Sequence, residues 1–195
     1  MDAAEVIRRM HAHRAWANRK LLVACDLLSD EQLRQPLTIG QGSLWRSLLH
    51  LYAAEFVWLE ALLGNEEPLV PGDLPGKLPG NQLGQGGLAS YEELKSQWDV
   101  LAQRWTNYLT ALTAEALDDL VYKTSTSSGA GKRHATRRAD VLLHVCTHAH
   151  YTTAQTVNML RQVGATELPD LMLISLARQE ASTTAGVSAE LTRWF

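Results

Sequence analysis

Cysteine is scarce in this 195-residue chain. Cys25 and Cys146 are the only two, far apart and with no CxxC pair. A disulfide framework is therefore not indicated, and both read as buried thiols in a reducing cytoplasm. Long apolar runs are missing too: nothing approaches the roughly 18 residues that a membrane span requires. The opening MDAAEVIRRMHAHR carries charge where a signal peptide has its apolar region. Charge of one sign is also absent. A net charge of -3 and a pI near 6.2 leave no basic footprint for nucleic acid. The one basic cluster, Lys132, Arg133, Arg137 and Arg138, reads as a solvated turn. No strand–helix–strand alternation is visible, which excludes a parallel sheet.

What is present is ordinary for one globular domain: 46% hydrophobic and 20% charged residues. Four long helical patterns carry most of the apolar residues. The first runs from about Ala3 to Leu28, with Val6, Met10, Ala17, Leu21 and Ala24 at helical spacing and Asp2 as its cap. The second starts after Gly40-Gln41-Gly42, with Ser43 as N-cap, and ends at Gly64. The third opens on the capping box Ser90 to Glu93 and lines up Leu94, Trp98, Leu101 and Trp105. The fourth extends from about Arg138 to Gln162 and closes at Gly164. A short helix is expected after Pro169. From residue 182 a Ser/Thr/Ala-rich tail follows, with Trp194-Phe195 free to dock. The domain is thus drawn as 1–181 with the tail at 182–195.

Two connections carry information. Residues 64–89 hold four of the six prolines and seven of the thirteen glycines, so no regular element fits there. In a four-helix bundle such a segment lets the chain cross over, so that the second and third helices run parallel. A lid over an open bundle end is the other use. The stretch LVYKTSTSSGAGKRHATR alternates β-branched and polar residues around Ser128-Gly129-Ala130-Gly131, which predicts a small β-hairpin between the third and fourth helices.

The chemistry is concentrated in HVCTHAHYTTAQ, residues 144–155. At about 100° per residue, His148 falls about 40° from His144 and Thr152 about 80°. A stripe of Val141, His144, His148, Tyr151, Thr152, Gln155 and Met159 results, apolar at its ends and polar in its middle. His150 lies about 200° from His148 and reads as a surface residue. A buried polar stripe needs partners. Hydrogen bonding among these side chains is one solution, and a bound metal is the other. Zinc normally takes three or four protein ligands, so two histidines on one helix are not enough. His50 lies on the core stripe of the second helix, and bundle cores build metal sites from facing helices. His13 lies on the apolar side of the first helix, whereas His11 is expected at the surface. Glu55 lies about 100° from the core direction of Ala54, which predicts a surface or peripheral place.

The segments HRAWANRKLL, GSLWRSLLHLYAAEFVWLEALLG and LLHVCTHAHYTTAQTVNMLRQVG, in that order and spacing, resemble the DinB/YfiT-like superfamily. The resemblance covers most of residues 5–178. It implies an all-α, up-down-down-up four-helix bundle with the long crossover between its second and third helices, and commonly a homodimer. It further implies a divalent metal, zinc or nickel among them, held by one histidine of the second helix and an H-x3-H pair of the fourth. Some members are S-transferases or isomerases that use low-molecular-weight thiols. His50 matches the first ligand and His148 the second. The third falls on Thr152, because HVCTHAHYTTAQ stands where the family reads HxxxHxxxHRGQ. Threonine is a poor neutral zinc ligand.

Three outcomes stay open: a lost metal, a triad completed by His144 or His13, or a weak site completed by water or Glu55. The reading adopted is a weakened or lost site. The expected function is descent from a metal-dependent hydrolase or thiol S-transferase acting on small molecules in the cytoplasm, with neither nucleic acid nor membrane as partner. A non-catalytic bundle for small-ligand binding or protein interaction is the competing reading.

Overall fold

The computed structural model describes residues 2–126 and 131–191, with the side chains of 184–191 left aside. Helix α1 spans Ala3–Cys25, and its capping box is closed by Asp2 and Glu5. A five-residue helix α2, Asp30–Arg34, follows at once, because Ser29 and Gln32 form a second capping box. Helix α3 spans Leu44–Leu62 behind the Ser43 cap. Helix α4 spans Tyr91–Ala111, and its Ser90/Glu93 box is present. Strands β1, Leu120–Thr124, and β2, Arg133–Arg137, pair antiparallel as the expected hairpin. Of its expected turn at 128–131, only Gly131 lies within the described residues. Helix α5 spans Arg138–Gln162.

Contacts between side chains fix the helix directions. Tyr91 Oη donates to the Leu22 carbonyl, and Arg8 Nη1 donates to the Leu112 carbonyl. The end of α1 therefore meets the start of α4, and its start meets the end. Ser47 lies against Met159, and Trp58 against His144, so α3 and α5 are antiparallel. Tyr52 packs on Trp98 and Glu60 pairs with Arg104, so α3 and α4 run parallel. His11 meets the Leu142 carbonyl, and Gln32, just past α1, meets the Val163 carbonyl. Helix α1 is thus parallel to α5, and the bundle is up-down-down-up.

The core is built from Leu21, Leu48, Leu51, Leu59, Leu94, Leu101, Leu142 and Leu160, with Trp105 wholly enclosed. At the first turn of α1 the inward residues are Ala4 and Ile7, and Val6 is exposed. Past Pro169 the helix is longer than expected: α6 runs Leu173–Leu191, across residue 182. Trp194 and Phe195 lie outside the described residues.

The crossover, 64–89, is tied down around one acid. Asp73 accepts from the Gly80 and Gln82 backbone N–H groups at 2.7 and 2.8 Å, and from the Gln82 amide. Gly80, at φ +85°, then lies so close to α3 that a Cβ there would sit 2.6 Å from the Leu49 carbonyl oxygen. The loop both crosses the bundle and covers the middle of α3.

Candidate active-site cleft

Docking of the crossover on α3 aims one histidine. His50 Nδ1 is 2.9 Å from the Pro79 carbonyl, so the ring carries its proton on Nδ1 and leaves Nε2 as a lone pair. His148 of α5 brings its own Nε2 to 3.2 Å from that atom, with the two rings near perpendicular at 72°. With that lone pair as the acceptor, His148 Nε2–H is the donor between the two rings. Burial, with His50 and His144 adding to it, lowers the His148 pKa to about 4, so this ring is neutral at pH 7.

The pair forms part of the wall of a cleft of about 440 Å³ between α3, α5, the hairpin and the crossover. His144 stands on the same side, 5.8 Å from His148 between ring centroids and edge-on to Trp58 at 5.2 Å. Its pKa is lowered by burial against that ring. The buried face of α5 is Leu142, Val145, Ala149, Thr152 and Thr156. The histidine line therefore runs along the edge of that face and looks into the cleft, and Tyr151, expected in the stripe, is 66% exposed.

Other expectations are corrected. His13 does not reach the cleft: its Nε2 lies 2.8 Å from the Leu171 carbonyl, and its ring lines a separate cavity with Cys146 and His150. The chain just before α6 captures it, which leaves it no part in completing the pair. His11, expected at the surface, is 1% exposed. Its Nε2 is 3.1 Å from the Leu142 carbonyl, its ring lies on Trp105, and burial beside Arg14 lowers its pKa to about 3. Glu55 is also buried. It pairs with Arg14, accepts from Asn18 Nδ2 at 2.6 Å and lies within 3.4 Å of Trp98 Nε1. It belongs to a polar knot in the bundle centre and takes no part in the cleft. The sequence held a signal for this knot: Arg14 and Asn18 fall on the apolar stripe of α1, where a charge demands a buried partner. Cys146 lies near the knot, and its thiol is pushed up to about 12 by burial, which keeps it protonated and unreactive.

Two imidazole nitrogens bound to one tetrahedral zinc at 2.0–2.1 Å would be about 3.3 Å apart. The His50–His148 spacing fits two corners of such a site. Among the described residues, however, no group of three His, Cys, Asp or Glu side chains could hold an ion. Thr152, one turn beyond His148, is buried on the inner side of α5. Among the described residues the donor set is thus incomplete for zinc.

The sequence model of the DinB family matches residues 3–182. The chain belongs to the DinB family. Among solved structures, a conserved protein from Enterococcus faecalis is similar over 84% of this chain and 98% of its own, at 13% identity and a TM-score of 0.60. YfiT from Bacillus subtilis is described as a probable metal-dependent hydrolase with an unusual four-helix bundle topology. It is similar over 85% of this chain and 91% of its own, at 17% identity and a TM-score of 0.56. At these identities the likeness establishes the shared DinB fold. No curated protein sequence matches the chain. Among the described residues of this DinB protein, no helix is long and apolar enough to cross a membrane.

Proposed function

We propose that the cleft is the reduced metal centre of a small-molecule hydrolase or low-molecular-weight-thiol S-transferase. His50 and His148 remain as ligands, and Thr152 stands where a third histidine would complete the set. The observation that carries this reading is the 3.2 Å Nε2–Nε2 approach, with the Pro79 carbonyl holding His50 so that its lone pair faces His148. Such a backbone acceptor on the far nitrogen is the usual way in which a metal-binding histidine is oriented. Divalent zinc or nickel, when bound, would act as a Lewis acid on a water or thiol. With two protein ligands, binding is weak. Family membership and the YfiT likeness support the general kind of function; the thiol cosubstrate rests on the family resemblance alone. Cytoplasmic location and a homodimer belong to the same proposal. Trp45, Trp98 and Trp105 are buried within one chain, so the dimer rests on the family resemblance.

Elemental analysis of protein purified without added metal tests the proposal. Substoichiometric zinc or nickel, abolished by His50→Ala, is the expected result. A complete absence of metal affinity by titration would move the reading to the alternative, a non-catalytic ligand-binding bundle. That alternative is favoured by the missing third donor.

A further inference from the structure

The hairpin wall of the cleft carries a cation with no counter-charge. In the β1–β2 register Lys123 lies opposite His134, and Val121 opposite Thr136. The face of the hairpin bearing Val121 and Lys123 is its buried one. Lys123 is 8% exposed, its Nζ donates to the Thr124 carbonyl at 3.1 Å, and it lies 5.2 Å from the Trp58 ring centroid. Among the described residues no carboxylate acts on it, and none lines the cleft. Other partly buried arginines of this protein do have acids: Arg14 has Glu55, Arg104 has Glu60, and Arg138 has Asp119. Burial lowers the Lys123 pKa with no neighbouring charge to offset it. A buried, unpaired ammonium is strongly disfavoured, so a cation kept in such a place calls for an anion from outside.

The rest of the lining agrees. The cleft is also lined by Thr126 and Thr136, by His134 and by the histidine pair. From Lys123 a continuous path of contacts runs over Trp58 to His144, His148 and His50. A ligand lying along Trp58 would have its charged end at Lys123 and its other end at the imidazoles.

We infer that the cleft takes a small organic anion, a carboxylate or phosphate ester, whose charged group is held by Lys123 Nζ and the neighbouring hydroxyls. The inference rests on the cleft proposed above as the functional site, but it requires no metal. It names the substrate class of that site: anionic at one end, with the reacting bond toward His50 and His148.

The test uses the full chain with EDTA present and ionic strength held constant with chloride. Thermal unfolding is followed with inorganic phosphate, glycerol 3-phosphate and succinate, and with uncharged glycerol as the control. Saturable stabilisation by phosphate or by a carboxylate, with none from glycerol, is expected. A larger effect from the phosphates or from succinate tells which anionic group the site prefers. Lys123→Met removes the cation and keeps the chain length, and is expected to fold at least as stably as the wild type. It should lose at least tenfold in anion affinity. Thr136→Val, a milder change, should lose less. Equal stabilisation of wild type and Lys123→Met, or none by any anion, overturns the inference. Because metal is chelated throughout, either result leaves the two-histidine proposal standing. A failed metal titration with intact anion binding overturns only the latter.

Discussion

His50 Nε2 and His148 Nε2 lie 3.2 Å apart, although 98 residues separate them in the chain. The approach is set from three directions. Antiparallel packing of α3 and α5 brings the two helices together, the Pro79 carbonyl rotates one ring, and partial burial keeps the other neutral. Each of these can be perturbed on its own.

Restoring the missing donor is the most direct experiment. Thr152→His adds an imidazole one turn from His148 on the same side of α5. The variant should bind zinc, and at a hundredfold excess over its dissociation constant it should gain about 2.7 kcal/mol of stability. Urea midpoints with and without zinc measure this. The wild type should gain far less. An equal gain would mean that another side chain already completes the site, and His144 would be the one to replace next.

The crossover should be sensitive at Gly80. An alanine there must adopt φ near +85° and place its Cβ against the Leu49 and His50 backbone. The expected cost is about 1–3 kcal/mol. As the loop lifts, Pro79 leaves His50, so cleavage within 64–89 by limited proteolysis should accelerate. Unchanged protection in Gly80→Ala would show that loop docking tolerates the extra carbon.

The central knot makes a prediction by contrast. Glu55→Ala strands the Arg14 guanidinium in the bundle centre and should cost about 3–5 kcal/mol. The double variant Arg14→Met, Glu55→Leu removes both charges and should lose well under that, with Asn18 and Trp98 alone left without their acceptor. Denaturant titration of the three proteins decides it. Similar losses in the single and double variants would mean that the charges themselves stabilise the fold.

Stability should depend on pH through His11. Its folded pKa, near 3, is below the usual 6.5, so between these values the unfolded chain binds a proton that the folded one refuses. The neutral ring's contribution is complete above about pH 6.5 and is lost as pH falls toward 3, by up to about 1.4 kcal/mol per pH unit. Chemical denaturation at pH 7.5, 6 and 5 measures the slope. His11→Gln should make it shallower and leave the part that His148, whose pKa is lowered to about 4, contributes over the same range; an unchanged slope would place the whole effect at other groups.

The sequence by itself determined the four long helices, the Asp2, Ser43 and Ser90 caps, the hairpin and the crossover, but neither the short α2 nor the length of α6. Those signals are local: apolar spacing, a capping serine and a glycine-rich turn are all read within a few residues. It also offered His50, His148 and Thr152 together, but only through likeness to a family, since helical phase gives the face of a residue and not its neighbour. Tertiary structure decided the rest. It buried His11 and Glu55, because other helices gave His11 Nε2 and the Glu55 carboxylate their partners, and it drew His13 away to the Leu171 carbonyl. It put Lys123 in the cleft wall, where a hairpin residue with no helical period gave no sign of burial. A polar group's position depends on what it meets, and what it meets comes from distant parts of the chain.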